Sequence, residues 1–508
     1  MDTAIQSPGD WLLNIQRKLY QWSREHPEEA YRDLWNWVTD ERNLRLAWGR
    51  VATNKGRSTP GVDGVTVNGI TKKKGMGAES FLRKLQERLR AGEYYPSPVR
   101  RKWIPKPGKP DQCRGLGIPT VEDRVVQSAV LQIIEPIFEA RFLHVSMGFR
   151  PGRAVRDAIE LIRRTARCMK TDENGKKINP PYQWVIEGDI QGCFDNIDHH
   201  ALMNRVRRGI RDRAVTRLIT AFLKAGIMEE GRYSLSKRGT PQGGILSPLL
   251  ANIALSVIEE RYRRWLQPTH RKDGKPYRNP FHAATSNRRL DRLRGKPVFY
   301  PIRYADDFIL ISAGSEEEIL EEKHRLAEML QRELGLELSQ EKTRITTLKE
   351  GFHFLGHHIR LRENERWGWV LQALIPLDRQ SRLRYRIKDL TKRQSIDWSL
   401  GKILRKLNPI IRGWGNFYRH TNGAYGVFRR MDYFIFMRIF HWLRKKHRTQ
   451  RWNYLYRKLR KKGRGGGMSR WTEGRTQSVQ LLDIPRCRWD LKNRKIPVYM
   501  FAVGEPSA

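Results

Sequence analysis

"FYPIRYADDFILIS", residues 299 to 312, sets two adjacent aspartates between two apolar runs. Phe299, Tyr300, Ile302 and Tyr304 lead in, and Phe308, Ile309, Leu310 and Ile311 lead out. The stretch therefore reads as strand, tight turn, strand. Hairpin turns that need φ > 0 usually carry Asn-Gly or Asp-Gly. Here Ala305, Asp306 and Asp307 stand in the turn, and no glycine does. Taken alone, the pair reads most simply as a polar turn. Two carboxylates side by side nevertheless repel each other unless cations lie between them.

Hard divalent cations suit oxygen ligands, and Mg²⁺ keeps waters while accepting substrate phosphates. Two such ions can activate a 3′-hydroxyl and stabilise a leaving pyrophosphate in an in-line displacement. That chemistry calls for another carboxylate from a neighbouring strand. "WVIEGDIQGCFDNIDHH" (184–200) offers Asp189 where an apolar strand gives way to a loop. Asp195 and Asp198 are also available, but Asp189 leaves the core strand at the better point.

The chain has 508 residues, enough for two to four domains. Lys and Arg total 98 against 54 Asp and Glu, a net charge of +44 that points to a polyanion, nucleic acid before an anionic membrane. No apolar run is long enough to span a bilayer, and the N-terminus does not read as a signal peptide, so a soluble intracellular protein is expected. The four cysteines are scattered, with no C-x-x-C pair, which indicates neither zinc nor a disulfide framework.

Residues 11 to 50 read as helices, 58–69 as a turn-rich loop, and "AESFLRKLQERLRAGEY" as an amphipathic helix. Residues 99–120 read as a hairpin, followed by a helix from Val121 to Phe142 and a buried strand over 183–190. "GTPQGGILSPLL" is a glycine loop entering a helix, with Ser247 as N-cap and Pro248 as first helical residue. The polar, basic stretch 267–297 reads as an insertion. "EEEILEEKHRLAEMLQREL" is a helix, "LELSQEKTRITTL" and "FHFLGHHIRL" each lie in a strand, and from about Asp378 the pattern turns helical and basic. "KGRGGG" (462–467) reads as a flexible break.

"YADD", "EGDIQGCFDNIDH" and "GTPQGGILSPLLANIAL" together resemble the reverse transcriptases of bacterial group II introns. "TPGVDGVT", "IPKPGKPDQCRGLGIPTVEDRVVQ" and "GFRPGRAVRDAI" resemble that family's N-terminal and fingers blocks. "LGLELSQEKT" and "FHFLGHHI" resemble its later palm blocks, and "LNPIIRGWGNFYRHTN" (407–422) its maturase, or X, domain. The match runs in consistent order from about 50 to 460.

The resemblance implies an α+β right-hand polymerase, its fingers and palm built on antiparallel sheet, followed by an α-helical thumb/maturase domain. It divides the chain into an N-terminal helical extension (1–57), fingers and palm (58–375), thumb/maturase (376–465) and a short basic DNA- or RNA-binding tail (466–508) without an endonuclease. It implies that Asp189, Asp306 and Asp307, with Ile190 beside them, hold two Mg²⁺ ions. Phe194 becomes the ring that rejects a 2′-OH. Lys106 and Arg114 hold the incoming deoxynucleoside triphosphate. Gln242 lies near the nascent pair, where the adjacent glycines let the backbone approach the nucleotide. Lys342 protonates the leaving pyrophosphate. His357 and His358 read as strand residues rather than metal ligands.

In the thumb, Arg412, Trp414, Arg419, Arg444, Lys445, Lys446, Arg457 and Lys458 are the candidate RNA-binding residues. The implied partners are the parent group II intron RNA, a DNA target and primer, and deoxynucleotides, with no membrane and no zinc. The implied setting is a bacterial cytoplasm, at the nucleoid during retrohoming. The expected function is RNA-directed DNA synthesis with maturase activity. Two other readings stand beside it: a reverse transcriptase domesticated for defence or repair, and a non-enzymatic RNA-binding splicing factor. The intact acidic triad argues against the last.

Overall fold

The computed structural model describes residues 7–72, 77–106, 109–168, 171–173, 175, 180–269, 277, 279–461, 469–486 and 497–500, without the side chains of 106, 109, 110 and 455. It is a mixed α/β structure in two units. Residues 1–154, 186–345 and 494–508 form the first, and 155–185 with 346–493 the second.

In the first unit the helices Pro8–Glu25 and Glu41–Thr53 pack against the helix Val121–Arg141. That helix is buried nearly all round, as its apolar sequence requires. Its polar Gln132 donates Nε2 to Asn43 Oδ1 at 2.7 Å. The strands, of which β3 and β8 belong to this unit only in part, are β1 (Val99–Lys106), β2 (Lys109–Ile118), β3 (Trp184–Gly188), β4 (Ile227–Glu229), β5 (Arg232–Ser234), β6 (Val298–Tyr304), β7 (Asp307–Ala313) and β8 (Arg344–Thr347). One sheet has the order β2-β1-β4-β5 and the other β6-β7-β3-β8. The hairpin expected over 99–120 is β1–β2, and the strand expected over 183–190 is β3.

The stretch from 299 to 312 is the β6–β7 hairpin, both strands buried along almost their whole length. Tyr304 pairs with Asp307, so the turn proper is Ala305–Asp306 and Asp307 already belongs to β7. Ala305 has φ +62°. A two-residue hairpin needs that left-handed step, and here a non-glycine residue supplies it at a cost of roughly 1–3 kcal/mol.

Two local expectations are corrected. The helix after the glycine loop runs Ser247–Arg261 with Leu246 at its N-cap, so Ser247 is already helical and caps nothing. Its hydroxyl instead donates to the Pro241 carbonyl at 2.8 Å. Within "FHFLGHHIRL" the chain does not run straight. Leu355 (φ +47°) and Gly356 (φ +77°) turn it, and Phe354 faces His357. Of the expected insertion, the described part is chiefly the helix Pro280–Leu293, docked through buried Asp291. That carboxylate takes both Arg264 nitrogens at 3.0 Å and Trp265 Nε1 at 2.9 Å.

In the second unit β9 (Phe352–Phe354), β10 (His357–Asn364) and β11 (Gly368–Leu374) form an antiparallel sheet. Helices Leu377–Leu390, Leu400–Tyr418, Ala424–Lys446 and Trp452–Leu459 follow, as the pattern after Asp378 predicts. "KGRGGG" lies outside the described residues. The segment 470–484 shares the core of these helices. Trp471 on β13, after β12 (Arg460–Lys461) and before β14 (Thr476–Gln477), is 1% exposed, and β13 spans Arg470–Glu473. Its ring stacks on Phe436 at 4.7 Å and its Nε1 donates to the Phe436 carbonyl. Asp432 accepts from the amides of Leu481 and Leu482, and Asn408 brackets Gln477 and Val479. A Cβ on Gly415 would come within 2.2 Å of Ile484 Cδ1, which explains the second glycine of "RGWGNF".

Trp471→Ala should therefore destabilise the second unit by about 3–5 kcal/mol. Thermal unfolding followed by far-UV circular dichroism reads this, and an unshifted transition would mean that 470–484 contributes nothing to this core.

Candidate active site

Two close approaches bring the acidic residues together, and a third fixes the glycine-rich loop beside them. Gly188 ends β3 one residue before Asp189, and a Cβ there would lie 2.1 Å from the Phe308 ring. Its absence lets β7, which begins at Asp307, lie close against β3. Gly148 presses on the hairpin turn, where a Cβ would lie 2.2 Å from the Ala305 amide nitrogen. Gly243 has φ +117°, and a Cβ would meet the Gly117 carbonyl of β2 at 2.5 Å. At Gly243 the glycine-rich loop is thus pinned against the backbone of β2. The Gly117 amide donates to the Gln242 carbonyl at 2.7 Å, and the Thr240 amide donates to the Phe194 carbonyl.

The turn is held from beneath by Arg303, which is fully buried. Its guanidinium donates to Glu259 Oε1 at 2.7 Å, Asn252 Oδ1 at 2.9 Å, the Ala305 carbonyl at 2.9 Å and Ser146 Oγ at 2.8 Å. Sequence reasoning passed over this residue, which looks like an ordinary polar position in a strand.

These elements enclose a cleft of about 960 Å³. Arg114, Asp189, Ile190, Phe194, Gln242, Asp306 and Lys342 all line it. So do Arg101, Trp103 and Arg238, which no sequence motif singles out, and Phe149 of "GFRPGR". Asp307 lies next to Asp306. Burial first, then the charges of Asp306 and Asp189, push its carboxyl up to about 6 against the pull of Arg114 and Lys342. Cys193, buried below, is pushed up to about 12 by burial and then by Asp306, so it stays a thiol. Lys342 Nζ sits 2.8 Å from Asp189 Oδ2. The side chain of Lys106 lies outside the described residues.

The three aspartates offer hard oxygen donors, and their mutual repulsion, visible at Asp307, is what a divalent cation would relieve. Among the described residues no three acidic, histidine or cysteine side chains already converge as a metal cage. The chemistry of the donors fits a cation, while Asp189 is engaged by the lysine. His357 is buried on β10, its Nδ1 at 3.1 Å from the Leu355 carbonyl. Burial pushes it down to about 4.

The RNA-binding candidates all lie in the second unit. Arg412, Arg444, Lys445, Arg457 and Lys458 are exposed and Arg419 half-buried. Arg412 lines a cavity of about 660 Å³ with Asn416, Arg470 and Arg475. Trp414 packs its ring on Tyr418 and Phe428 and is partly buried in the helical core. Lys446 donates to the Ile396 carbonyl at 2.7 Å.

Residues 104–359 match the family model for reverse transcriptase (RNA-dependent DNA polymerase), and 380–463 the group II intron maturase-specific domain. The chain is 36% identical to Protein YkfC of Escherichia coli (strain K12) over 358 residues, 70% of this chain and 90% of that one. It is 32% identical to group II intron-encoded protein LtrA of Lactococcus lactis subsp. cremoris over 482 residues, 84% and 76% of the two. Nuclear intron maturase 1, mitochondrial, of Arabidopsis thaliana is 24% identical over 309 residues, 47% and 40% of the two. The chain is an RNA-directed DNA polymerase. It belongs to the group II intron reverse transcriptases and carries their maturase domain. Reverse transcriptase domains use divalent metal ions, consistent with the donors in the cleft. No described helix is long and apolar enough to cross a membrane.

Two outcomes follow for this site. Arg303→Lys keeps the charge but loses the planar fork, and its three N–H donors leave at least one of the four acceptors without a donor. It should cost about 3–5 kcal/mol, as for other broken buried pairs, in chemical denaturation; a loss below 1 kcal/mol would remove Arg303 from this role. Asp307→Asn tests the crowding. The raised carboxyl penalises folding as pH climbs from the ordinary carboxylate range through about 6. In chelator the variant should melt above wild type at pH 8 by about 1–3 °C and not at pH 4. Equal melting at pH 8 would contradict it.

Proposed function

We propose that this cleft polymerises DNA on an RNA template with two Mg²⁺ ions, and that the chain binds its parent group II intron RNA, assisting splicing and retrohoming by target-primed reverse transcription. In this reading 58–375 act as fingers and palm, 376–465 as thumb and maturase domain, 1–57 as an N-terminal extension, and the basic residues after 466 add to nucleic-acid binding. The setting is a bacterial cytoplasm, at the nucleoid during retrohoming. The observation that supports it most is the one cleft lined by Arg114, Asp189, Phe194, Gln242, Asp306 and Lys342.

Asp189, Asp306 and Asp307, with Ile190 beside them, would hold the ions, which when bound supply Lewis acidity at a 3′-hydroxyl and at the triphosphate. Arg114 neutralises and orients the triphosphate by bidentate contact, with Lys106 as a second charge. Phe194 occupies the space of a 2′-OH and so rejects ribonucleotides. Gln242, whose backbone is fixed to β2, positions the nascent pair. Lys342 holds a proton at Nζ for the departing pyrophosphate. Arg412, Arg419, Arg444, Lys445, Arg457 and Lys458 neutralise intron phosphates, with Lys446 and Trp414 acting chiefly as scaffold.

Splicing needs a folded intron, and extension needs the acidic triad, so the two activities should separate. Asp306→Asn should abolish cDNA synthesis and still promote splicing of the cognate intron. Replacing Arg444, Lys445, Arg457 and Lys458 together should weaken intron binding and splicing more than extension on a short generic template. The salt slope of binding should fall by about 0.7–0.9 for each phosphate that is no longer neutralised. Both variants are compared at one salt concentration; a splicing defect confined to Asp306→Asn would refute the division.

A further inference from the structure

We infer that Phe149 is a positioning residue for sugar selection, holding the ring of Phe194 in the place where it rejects a 2′-hydroxyl. The inference rests on the gate reading of Phe194 given above. Phe149 stands in "GFRPGR" with φ +57°, a conformation that bulky side chains rarely adopt. It is 50% exposed and lines the cleft. Its ring meets Phe194 edge to face, with centroids 6.0 Å apart and planes at 79°.

A half-exposed phenylalanine in a strained backbone gains little for folding, so the strain has to be imposed from both sides. On one side Gly148 is pressed against the Ala305 turn, and its carbonyl accepts from Asn252 Nδ2 at 2.8 Å. On the other, buried Arg150 forks onto Glu139 at 2.6 and 2.8 Å. It also donates to the carbonyls of Leu143 and Ser146. The loop is thereby locked, and the one ring it presents to the cleft lands on Phe194. Phe194 itself sits on a single helical turn, Cys193–Asn196, which opens at left-handed Gly192. So short an element restrains its own side chain weakly. An edge-to-face partner on a rigid loop fixes the ring's orientation, and without it the ring can swing out of the space that a 2′-hydroxyl would enter.

The test is single-nucleotide extension of a primer on an RNA template by the full chain with Mg²⁺, comparing kcat/KM for dCTP and CTP. Phe149→Gly removes the ring and relieves the strained backbone together. It should lower discrimination roughly three- to tenfold, the size of one aromatic pair, through KM for CTP. Its melting temperature should not fall below wild type, as it would if the ring served only the fold. Phe149→Tyr keeps the ring and should keep the ratio. Phe149→Gly in a Phe194→Ala background should add nothing to Phe194→Ala alone. If Phe194→Ala alters discrimination and Phe149→Gly does not, the inference is overturned and the gate stands. An additive loss in the double variant overturns it too, because Phe149 would then act on substrate directly. If Phe194→Ala leaves discrimination unchanged, the gate reading falls and this inference with it.

Discussion

One buried guanidinium carries much of the site. Arg303 holds a strained turn by its own carbonyl at Ala305 and ties it to two separate pieces of chain: the helix holding Asn252 and Glu259, and the loop at Ser146. A charge this deep is tolerable only when its donors are largely matched, and four of the five guanidinium N–H groups meet fixed acceptors. Its backbone takes part as well, since the Met147 amide donates to the Arg303 carbonyl and the Arg303 amide to Val145. The residues that face the cleft, Phe149 and Asp306, are therefore set by a single network behind them. Their positions should shift together rather than one at a time.

The second constraint is missing side-chain volume. Gly188 makes room for Phe308, Gly148 for the Ala305 backbone, and Gly243 for Gly117. Each is a contact between elements far apart in sequence, and each sets how near an acidic or nucleotide-facing residue comes to the others. Conformational freedom matters only at Gly243; at Gly188 and Gly148 the absence of a Cβ is what counts. The charge balance is local too. The chain carries +44, yet at the floor of its cleft burial, and after it the neighbouring carboxylates, raise both Asp307 and Cys193. A surface that attracts polyanions thus surrounds a point that attracts cations.

Much of this was legible in the sequence. The β6–β7 hairpin, the β1–β2 hairpin and the long amphipathic helices announce themselves through local periodicity, which is a property of neighbouring residues. Asp189 could be paired with Asp306 because an apolar strand ending in a carboxylate has few other uses. What stayed hidden depends on partners distant in the chain. Arg303 looks like an exposed strand residue until Glu259 is beside it. Nothing near Trp471 says that Phe436 will receive it, and the basic composition of the tail points to nucleic acid rather than to the helical core. Ser247 looked like a cap because Ser-Pro commonly opens a helix, whereas its hydroxyl is drawn to Pro241 by the loop's own fold. β11 was missed because "GWVLQAL" is a short apolar run that suits helix or strand equally.

The strand order β6-β7-β3-β8 bears on how the protein is made. β3 lies between two strands that are synthesised long after it, β7 beginning roughly 120 residues later and β8 later still. At about 5–20 residues per second, a nascent chain holds both edges of an apolar strand unpaired for on the order of 6–24 s before its first neighbour exists. Unpaired edges of this kind recruit other chains. Slowing elongation between residues 190 and 310 would lengthen the time for which the strand leading to Asp189 stays unpaired, and so should cost yield before it costs activity per molecule.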